Sequence, residues 1–493
     1  MGLTSEVSVP AVGEGNIKMT DSGKMNPRLR VLVAIASYGV GHLQYLKEII
    51  QTYRGMNVDV NVVILSEAPK ELGPGVEVIV GLPSKNPWTL PFAHKTVFAQ
   101  RVEQYDLFIY SEDDIKVNET QIRAFLEATS QLAADEIAGF MRYEVDESGQ
   151  WFVAEPWGHY HWKPESAKRR GNYTIAEFTN EHAGFYILTR EQLKRAIASG
   201  GFLRGPCRGR YNWPETAATD PYTNCGFRKV ICISDLRNFL VHHLPNRWGN
   251  GLPVSLVSFT EQIQKLMDIS NGIHPASTLC DVESRLLPFN WQKVYYEKPC
   301  SELLKMIPAE AETILSVGCG WGATELELKR RGAAVTALPL DSVISEVAAS
   351  HGIKMIYGTL AEGLNSLKEQ RFDCVFMTDL LHLQPNPNQL LEKCSELVQD
   401  GGALVIAGPN FARLPWLMKR LLGLGQYGRL RNYASSGISV CGPRTLAKTM
   451  ANRGLHVASV KWLKHTINCA GLDGLEIPMG MLTAREWVLQ ARR

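Results

Sequence analysis

Short apolar runs with the length of buried strands alternate with helical segments in two separate parts of the chain. The first series begins at residues 29–36 (LRVLVAIA) and the second at residues 313–317 (TILSV). Strands that are apolar along their whole length are typical of parallel sheets covered by helices on both faces. We therefore predict an α/β fold with two doubly wound domains, for which 493 residues are sufficient.

The composition along the chain predicts four segments. The start is polar and Gly-rich, which predicts a disordered leader, and a stretch with Gly272, Pro275 and several serines predicts a linker. The predicted segments are the leader (1–28), a first α/β domain (29–265), the linker (266–294) and a second α/β domain (295–493).

The charge and the cysteine content argue against several classes of protein. With 52 Lys and Arg against 50 Asp and Glu, the formal net charge is +2, and no block of basic residues predicts nucleic-acid binding. Ten cysteines occur without a CxxC pair, which disfavours a zinc site or a disulfide framework and favours a cytoplasmic location. No apolar run has the length of a transmembrane helix.

One segment of the second half is both apolar and basic, namely residues 414–431 (LPWLMKRLLGLGQYGRLR). We prefer to interpret it as a cap over a substrate pocket. Peripheral contact with a membrane surface is the alternative.

Three consecutive carboxylates follow an apolar strand in the first half. They are Glu112, Asp113 and Asp114, and they repel each other unless a cation or a proton is shared. On an extended chain Glu112 and Asp114 point to the same side. This pattern predicts a Mg²⁺ or Mn²⁺ ion that bridges to a diphosphate, because hard cations take carboxylate and phosphate oxygens. A solvated acidic loop is the alternative.

This layout resembles the nucleotide-sugar-binding half of GT-A glycosyltransferases over about residues 28–265. In that family a DxD-like motif after a buried strand holds the metal on the sugar-nucleotide diphosphate, and Glu112-Asp113-Asp114 matches it with Glu in the first place. The resemblance implies that Asp114 is the metal ligand. It also implies that Glu112 or Asp113 contacts the ribose or the metal.

The same resemblance implies a site for a nucleotide-sugar donor at the other strand ends. Ser37 and Tyr38 are expected to border the nucleoside, and Glu67 is expected to reach its base. Lys95 is expected near the diphosphate, with an exposed helical lysine as the alternative.

Two further features of the family have counterparts in the sequence. An acidic motif that carries the catalytic base corresponds to Glu215, although Thr216 stands where a second acid is usual, and Asp220 is the rival candidate. A late histidine that completes the metal shell corresponds to His242 or His243, because imidazole is a suitable ligand for Mn²⁺. A structural role for both histidines is the alternative.

A glycine-rich turn follows the first strand of the second half. Glycines there let the backbone approach a ligand closely. The turn VGCGWG, the segment FDCVFMTDLLH and the segment LVQDGGALVIAGPN resemble, in this order, class I S-adenosylmethionine-dependent methyltransferases over about residues 295–465. The resemblance implies S-adenosylmethionine as cofactor, bordered by Gly318, Cys319, Gly320 and Gly322.

The second half departs from that family at the ribose. Pro339 stands where an acid usually accepts the two ribose hydroxyls, and Asp341 is the candidate substitute. Thr359 stands where the family often has the acid nearest the adenine, and Asp379 is expected to contribute to the cofactor site. His382 is a candidate general base for a hydroxyl, with a loop histidine as the alternative.

The sequence thus predicts a bifunctional transferase. The first domain would transfer a sugar to a glycan or a small hydroxyl acceptor, and the second would methylate a hydroxyl. One alternative is a glycan-binding or scaffold protein with one inactive domain. Another is a nucleotidyltransferase fused to a methyltransferase.

Overall fold

The computed structural model describes residues 28–247, 254–287, 291–463 and 480–493. The predicted leader therefore lies outside the described residues, apart from Arg28. No helix among the described residues is long and apolar enough to cross a membrane.

The first half combines short strands and helices in a mixed α/β arrangement. Its strands are β1 (Arg30–Ala36), β2 (Asp59–Ser66), β3 (Val76–Val80), β4 (Leu107–Glu112), β5 (Ile115–Lys116), β6 (Glu136–Ala138), β7 (Met141–Val145), β8 (Trp151–Val153), β9 (Trp162–Arg170), β10 (Tyr173–Phe178), β11 (Phe185–Thr189), β12 (Arg228–Cys232) and β13 (Leu240–His243). Its helices are α1 (Leu43–Arg54), α2 (Ala93–Gln100), α3 (Glu119–Thr129), α4 (Arg190–Ala198), α5 (Trp213–Thr223) and α6 (Leu256–Ser270).

The strands of the first half form three sheets among the described residues. The five-stranded sheet has the order β11-β4-β1-β2-β3, in which β4, β1, β2 and β3 are parallel and β11 is antiparallel. The two four-stranded sheets have the orders β6-β12-β10-β9 and β5-β13-β7-β8. Six of the seven residues of β1 are buried, as expected for a central parallel strand.

The second half is built on one seven-stranded sheet. Its strands are β14 (Thr313–Cys319), β15 (Ala334–Pro339), β16 (Lys354–Met355), β17 (Phe372–Thr378), β18 (Val398–Pro409), β19 (His456–Leu463) and β20 (Glu486–Arg492). Its helices are α7 (Ser301–Met306), α8 (Ala323–Arg330), α9 (Glu346–Ser350), α10 (Leu360–Ser366), α11 (Pro387–Glu396), α12 (Leu414–Leu421), α13 (Tyr433–Ser436), α14 (Pro443–Ala451) and α15 (Gly480–Thr483). The order is β16-β15-β14-β17-β18-β20-β19, parallel except for β20, which is antiparallel to both of its neighbours.

Two segments differ from the sequence prediction. The apolar residues of 231–241 predict one continuous strand, but the structure has two strands, β12 and β13, separated by a 3₁₀ turn at Ile233–Phe239. Three consecutive basic residues, 168–170, predict a solvated loop, but they belong to β9, where Lys168 and Arg170 form ion pairs with the buried Glu136. A distant carboxylate therefore fixes this basic stretch in the sheet.

The two halves pack directly against each other. The backbone N–H of Tyr295 donates to the carbonyl of Gly158 at 2.7 Å, and the Tyr295 ring stacks on His161 at 3.9 Å. Lys265 of α6 forms an ion pair with Glu346 of α9 at 3.0 Å. One apolar cluster consequently contains residues of both halves.

Candidate functional site

The carboxyl ends of β1, β2 and β4 lie side by side and define the first candidate site. Ala36 is paired with Leu65 on one side and with Glu112 on the other. Parallel pairing therefore brings Ser37 and the acidic triplet to the same edge of the sheet, as predicted for ligands of open α/β sheets.

A compact group of potential metal ligands lies at this edge. His42, Asp113 and Asp114 each offer one ligand atom, and these atoms lie within 4.8 Å of one another. His42 Nδ1 is 2.8 Å from Asp113 Oδ1 and 3.4 Å from Asp114 Oδ2. Asp114 Oδ1 is buried and has no hydrogen-bond partner among the described residues. A buried, unpartnered carboxylate oxygen beside an imidazole fits a divalent cation.

His243 approaches the same group from the other side. The pairing of His243 with Ile115 joins β13 to β5, immediately after the triplet, and places His243 Nε2 3.3 Å from Asp114 Oδ2. Its Nδ1 lies 2.5 Å from Glu144 Oε1, which orients the ring. The structure therefore brings one predicted histidine to the predicted metal ligand.

His242 faces away from this group, because neighbouring side chains of a strand point to opposite faces. Its Nε2 lies 3.1 Å from Asn246 Oδ1, and its ring stacks on Tyr143. The prediction of a metal-binding role for His242 is therefore wrong. His42 takes part instead; it lies 71 residues from Asp113, and no local pattern connected the two.

The electrostatics of the group favour a cation. Burial and the charge of Asp114 raise the pKa of Glu112 to about 7. Burial also raises the pKa of Asp113. Burial alone would lower the pKa of His243, but its hydrogen bonds with Asp114 and Glu144 outweigh this and raise the pKa to about 9. Glu112 and Asp113 thus hold protons more tightly than usual, whereas His243 and His42 keep the pKa of Asp114 below its usual range despite burial. A metal ion would relieve the repulsion among these carboxylates.

The residues predicted for the nucleoside border this group. The hydroxyl of Ser37 accepts a hydrogen bond from Lys70 Nζ at 2.8 Å, and a carboxylate oxygen of Glu67 accepts the N–H of Gly39 at 2.9 Å. Tyr38 is exposed. Lys70 was not singled out in the sequence, and it adds a positive charge between Ser37 and the acidic triplet, where its charge interacts with that of Asp113.

Lys95 and Asp220 form a buried ion pair with each other. Their side chains are 3% and 1% exposed, so neither is available to solvent. The expected role of Lys95 at the diphosphate and that of Asp220 as a base therefore do not agree with the structure. The two residues are 125 positions apart, and no local pattern indicates that they pair.

Glu215 lies in the first turn of α5, and its Oε2 is buried without a hydrogen-bond partner among the described residues. Burial and the nearby Arg142 lower the pKa of His182 to about 3, and the charge of Glu215 opposes this shift. His182 Nε2 lies 3.6 Å from Glu112 Oε1. Glu215 therefore belongs to the surroundings of the acidic triplet.

A second candidate site lies where β14 passes into α8. Gly318 and Gly322 have φ values of 83° and 89°, which favour glycine. A Cβ on Gly320 would collide with the carbonyl oxygen of Tyr295. The Cys319 side chain is buried in the core, and burial raises its pKa. The turn thus requires glycine at all three positions. The Cys319 thiol is buried in the core and does not line the surface of the turn.

Asp341 supplies a carboxylate just beyond the end of β15, whose last residue is Pro339. Its Oδ1 accepts the N–H groups of Val343 and Ile344, both at 2.7 Å. Its Oδ2 is buried without a partner among the described residues, and burial raises its pKa to about 7. An unpartnered acceptor at this place fits a ribose hydroxyl, so the residues present suit S-adenosylmethionine.

The other residues predicted at this site have distinct surroundings. Thr359 caps α10, with its hydroxyl and backbone bonded to Glu362, so its side chain has a structural role. Asp379 follows β17 at a positive φ of 46°, and burial raises its pKa to about 7. Burial lowers the pKa of His382 to about 4, and its Nε2 lies 2.7 Å from the Trp291 carbonyl.

The segment 293–297, at the boundary between the predicted linker and the second domain, covers the second site. The carbonyl of Tyr295 accepts the N–H of Trp321 at 3.0 Å, and the carbonyl of Glu297 accepts the Trp321 indole N–H at 2.6 Å. The buried Lys293 donates to Thr378 Oγ1 at 2.6 Å and pairs with Glu297. These contacts had no signal in the sequence beyond the aromatic character of the segment.

Known methyltransferases are similar to the part of the chain that contains this second site. A family model described as a methyltransferase domain matches residues 291–460. A ubiquinone biosynthesis O-methyltransferase of Xylella fastidiosa (strain 9a5c) is 29% identical over 167 residues, which are 33% of this chain and 68% of that protein. One from Alkalilimnicola ehrlichii is 33% identical over 106 residues, or 20% of this chain and 43% of that protein.

Solved structures of methyltransferases also align with the chain. A SAM-dependent methyltransferase from Archaeoglobus fulgidus aligns with a TM-score of 0.31 and 15% identity, covering 39% of this chain and 90% of that one. The N-methyltransferase NodS from Bradyrhizobium japonicum, solved with S-adenosyl-L-homocysteine, aligns with a TM-score of 0.28 and 14% identity, covering 39% and 84%.

The family match and the sequence relatives support a class I S-adenosylmethionine-dependent methyltransferase domain in the C-terminal part of the chain. They also support S-adenosylmethionine as its cofactor. The family match begins at residue 291, so the interpretation of the first half rests on the geometry described above.

Proposed function

We propose that the C-terminal part of the chain transfers a methyl group from S-adenosylmethionine to a hydroxyl acceptor. The observation that carries this proposal is the buried, unpartnered Oδ2 of Asp341, which directly follows Leu340, whose N–H donates to the Cys319 carbonyl within the glycine turn. The backbone of the turn and the N-terminus of α8 would hold the methionine part, and Asp341 would accept a ribose hydroxyl. The cofactor supplies an electrophilic methyl group.

Asp379 is the stronger candidate for the group that takes the proton of the acceptor hydroxyl. His382 Nε2 lies 2.7 Å from the Trp291 carbonyl and is occupied by that contact, whereas burial raises the pKa of Asp379 to about 7, near the operating pH at which a general base works best. The choice of a hydroxyl acceptor is supported by the relatives, which are named O-methyltransferases.

Calorimetric titration with S-adenosylmethionine tests this proposal. The wild-type protein is expected to bind, and Asp341→Asn is expected to bind about tenfold to a hundredfold more weakly, because it loses a hydrogen bond to a charged group. Thr359→Ala is the matched control, since Thr359 serves as a helix cap and is expected to leave the affinity unchanged. Absence of binding by the wild type would refute the methyltransferase assignment.

We propose, as a second function, that the first half transfers a sugar from a nucleotide-sugar donor in a metal-dependent reaction. The observation that favours it is the group formed by His42, Asp113 and Asp114 at the carboxyl ends of parallel strands. These residues, together with His243, would hold Mn²⁺ or Mg²⁺, and two imidazoles favour Mn²⁺. The metal, when bound, neutralises charge on the departing diphosphate.

Other residues of the first half have proposed roles in binding the donor and in taking the proton of the acceptor. Ser37 and Glu67 lie where they can orient the nucleoside, and Lys70 lies where it can attract the diphosphate. The buried, unpartnered Oε2 of Glu215 makes this residue the preferred base for the acceptor hydroxyl.

A donor screen tests the glycosyl-transfer proposal. Nucleoside-diphosphate release from a panel of nucleotide sugars is measured with Mn²⁺ for the wild type, Asp114→Asn and His242→Ala. We expect release by the wild type and by His242→Ala, whose ring faces away from the site, and loss of release in Asp114→Asn. Equal release by all three proteins would contradict a role for a metal ion held by Asp114. Release of pyrophosphate would favour a nucleotidyltransferase instead.

The two proposed activities together make a bifunctional transferase in which the methyl acceptor is the newly glycosylated product. Packing of the two halves in one molecule supports this proposal, because it keeps the product at high effective concentration near the second site.

A further inference from the structure

The segment that follows β18 presents large apolar side chains to solvent. None of the eight residues of α12 is buried, and Leu421 and Leu422 are 61% and 64% exposed. Leu414, Met418 and Leu424 are exposed beside them. Soluble proteins rarely expose so many neighbouring large apolar side chains unless the patch binds something.

The opposite face of the same segment packs on the protein. Trp416 contacts Trp291 edge-to-face with ring centroids 5.0 Å apart, and Tyr427 contacts Trp291 at 5.9 Å. This inner face agrees with a cap over the linker and the second site. The outer leucines do not contribute to the cap and need another explanation.

The sequence that contains these leucines is strongly basic, and of its basic residues Arg453 pairs with Glu392 and Glu396 and Lys461 pairs with Glu302. Residues 401–472 contain ten of the 52 Lys and Arg and none of the 50 Asp and Glu. The rest of the chain is therefore net acidic by eight charges. Lys419, Arg420, Arg429 and Arg431 belong to the same segment as the exposed leucines. Basic side chains interspersed with exposed leucines are typical of segments that lie on an anionic membrane.

We propose that residues 413–431, the membrane-docking segment, bind the surface of an anionic lipid bilayer. Its leucines would enter the boundary between headgroups and acyl chains, and its basic side chains would pair with lipid phosphates. A nucleic acid would use the basic charges but would leave the leucines in water, so the lipid surface fits both observations better. This inference does not depend on either proposed transferase activity.

Co-sedimentation of the full-length protein with lipid vesicles tests this proposal. We expect binding to vesicles made of equal parts phosphatidylglycerol and phosphatidylcholine, weakened by added salt, and little binding to phosphatidylcholine alone. The double variant Leu421→Gln/Leu422→Gln is expected to lose affinity by about tenfold or more, because two leucines no longer leave water. Lys419→Gln/Arg420→Gln is expected to lose about tenfold or more, because two charges near the lipid surface are removed.

Matched substitutions at other exposed positions control for general effects of surface change. Ile273→Gln removes an exposed apolar side chain, and Lys368→Gln removes an exposed charge, both outside the membrane-docking segment. Both variants are expected to bind as the wild type does. Equal binding to both kinds of vesicle, unchanged binding by either double variant, or no binding to the anionic vesicles would overturn the proposal.

Discussion

Two imidazoles approach the carboxylates of the first site from opposite sides. His42 comes from the start of α1, and His243 comes from the end of β13. Of these two histidines, only His243 has a carboxylate at its second ring nitrogen among the described residues, since Glu144 Oε1 lies 2.5 Å from its Nδ1. A carboxylate in this position fixes the tautomer of a metal-binding histidine and raises its basicity.

Glu144→Gln should therefore weaken the affinity for Mn²⁺ without removing any ligand. We expect a loss of about 10–100-fold, which is typical when the hydrogen-bond partner of a metal-binding histidine is changed. Calorimetric titration with Mn²⁺ measures the affinity, with His242→Ala as the control that should not alter it. An unchanged affinity in Glu144→Gln would show that His243 does not bind the metal.

Asp341 should make the unfolding free energy depend on pH. Burial raises its pKa from 3.8 to about 7, so the folded protein binds the proton more tightly than the unfolded chain does. The unfolding free energy therefore falls as pH rises from about 4 to about 7, and it stays lower above that range. For a fully buried group with this shift, the change is on the order of a few kcal/mol.

Asp341→Asn should remove this part of the pH dependence. Urea unfolding at about pH 5 and about pH 8 measures it for the variant and the wild type. Asp373→Asn is the control, because hydrogen bonds lower the pKa of Asp373 and its contribution is lost only at more acidic pH. An identical pH dependence in wild type and Asp341→Asn would contradict the account.

The local sequence pattern predicted those strands and turns that depend on residues close together in the chain. The apolar runs in β1, β14 and β17 are buried in parallel strands, and the glycines at 318–322 form the expected turn. The acidic triplet lies at the predicted sheet edge because parallel pairing aligns strand ends. These features follow from residues that are close in sequence.

Features that depend on distant partners could not be predicted in this way. His42 reaches Asp113 across 71 residues, and Lys95 reaches Asp220 across 125. The 3₁₀ turn at Ile233–Phe239 interrupts the stretch 231–241, whose apolar runs at both ends suit a strand as well. In each case packing between distant elements determines which structure forms, because the local sequence is compatible with more than one structure.

The turn between β14 and α8 should not tolerate a side chain at Gly320. The obstacle is the backbone carbonyl of Tyr295, which cannot move as a flexible side chain would. We expect Gly320→Ala to lower stability by about 1–3 kcal/mol and to weaken S-adenosylmethionine binding.

Thermal unfolding with and without S-adenosylmethionine measures both effects of Gly320→Ala. Gly442→Ala is the matched control, because nothing lies within 4 Å of its Cβ position and its φ of −165° is open to any residue. A Gly320→Ala protein that melts and responds to the cofactor like the wild type would show that the linker does not lie against the turn.

On the scale of the whole molecule, the two halves share an apolar cluster and are joined by buried aromatic contacts. Tyr295 is central, since it stacks on His161 of the first half and touches the glycine turn of the second. We therefore expect both halves to unfold in one transition, with coincident curves from tryptophan fluorescence and far-ultraviolet circular dichroism.

Tyr295→Ala should destabilise the whole molecule. We expect a loss of about 3–5 kcal/mol, as for other buried aromatic side chains, measured by urea unfolding. Tyr38→Ala is the control, because Tyr38 is exposed and contributes little to the core. Two separated transitions in the wild type would mean that the halves are independent.

The central claim is that one chain carries two separate transferase sites. It is tested most directly by Mn²⁺-dependent release of nucleoside diphosphate from the best donor of the screen, compared among the wild type, Asp114→Asn and Asp341→Asn. The account predicts that Asp114→Asn loses release and that Asp341→Asn keeps the wild-type rate, because Asp341 belongs to the methyltransferase site. Release that survives in Asp114→Asn, or that is lost equally in both variants, would contradict it.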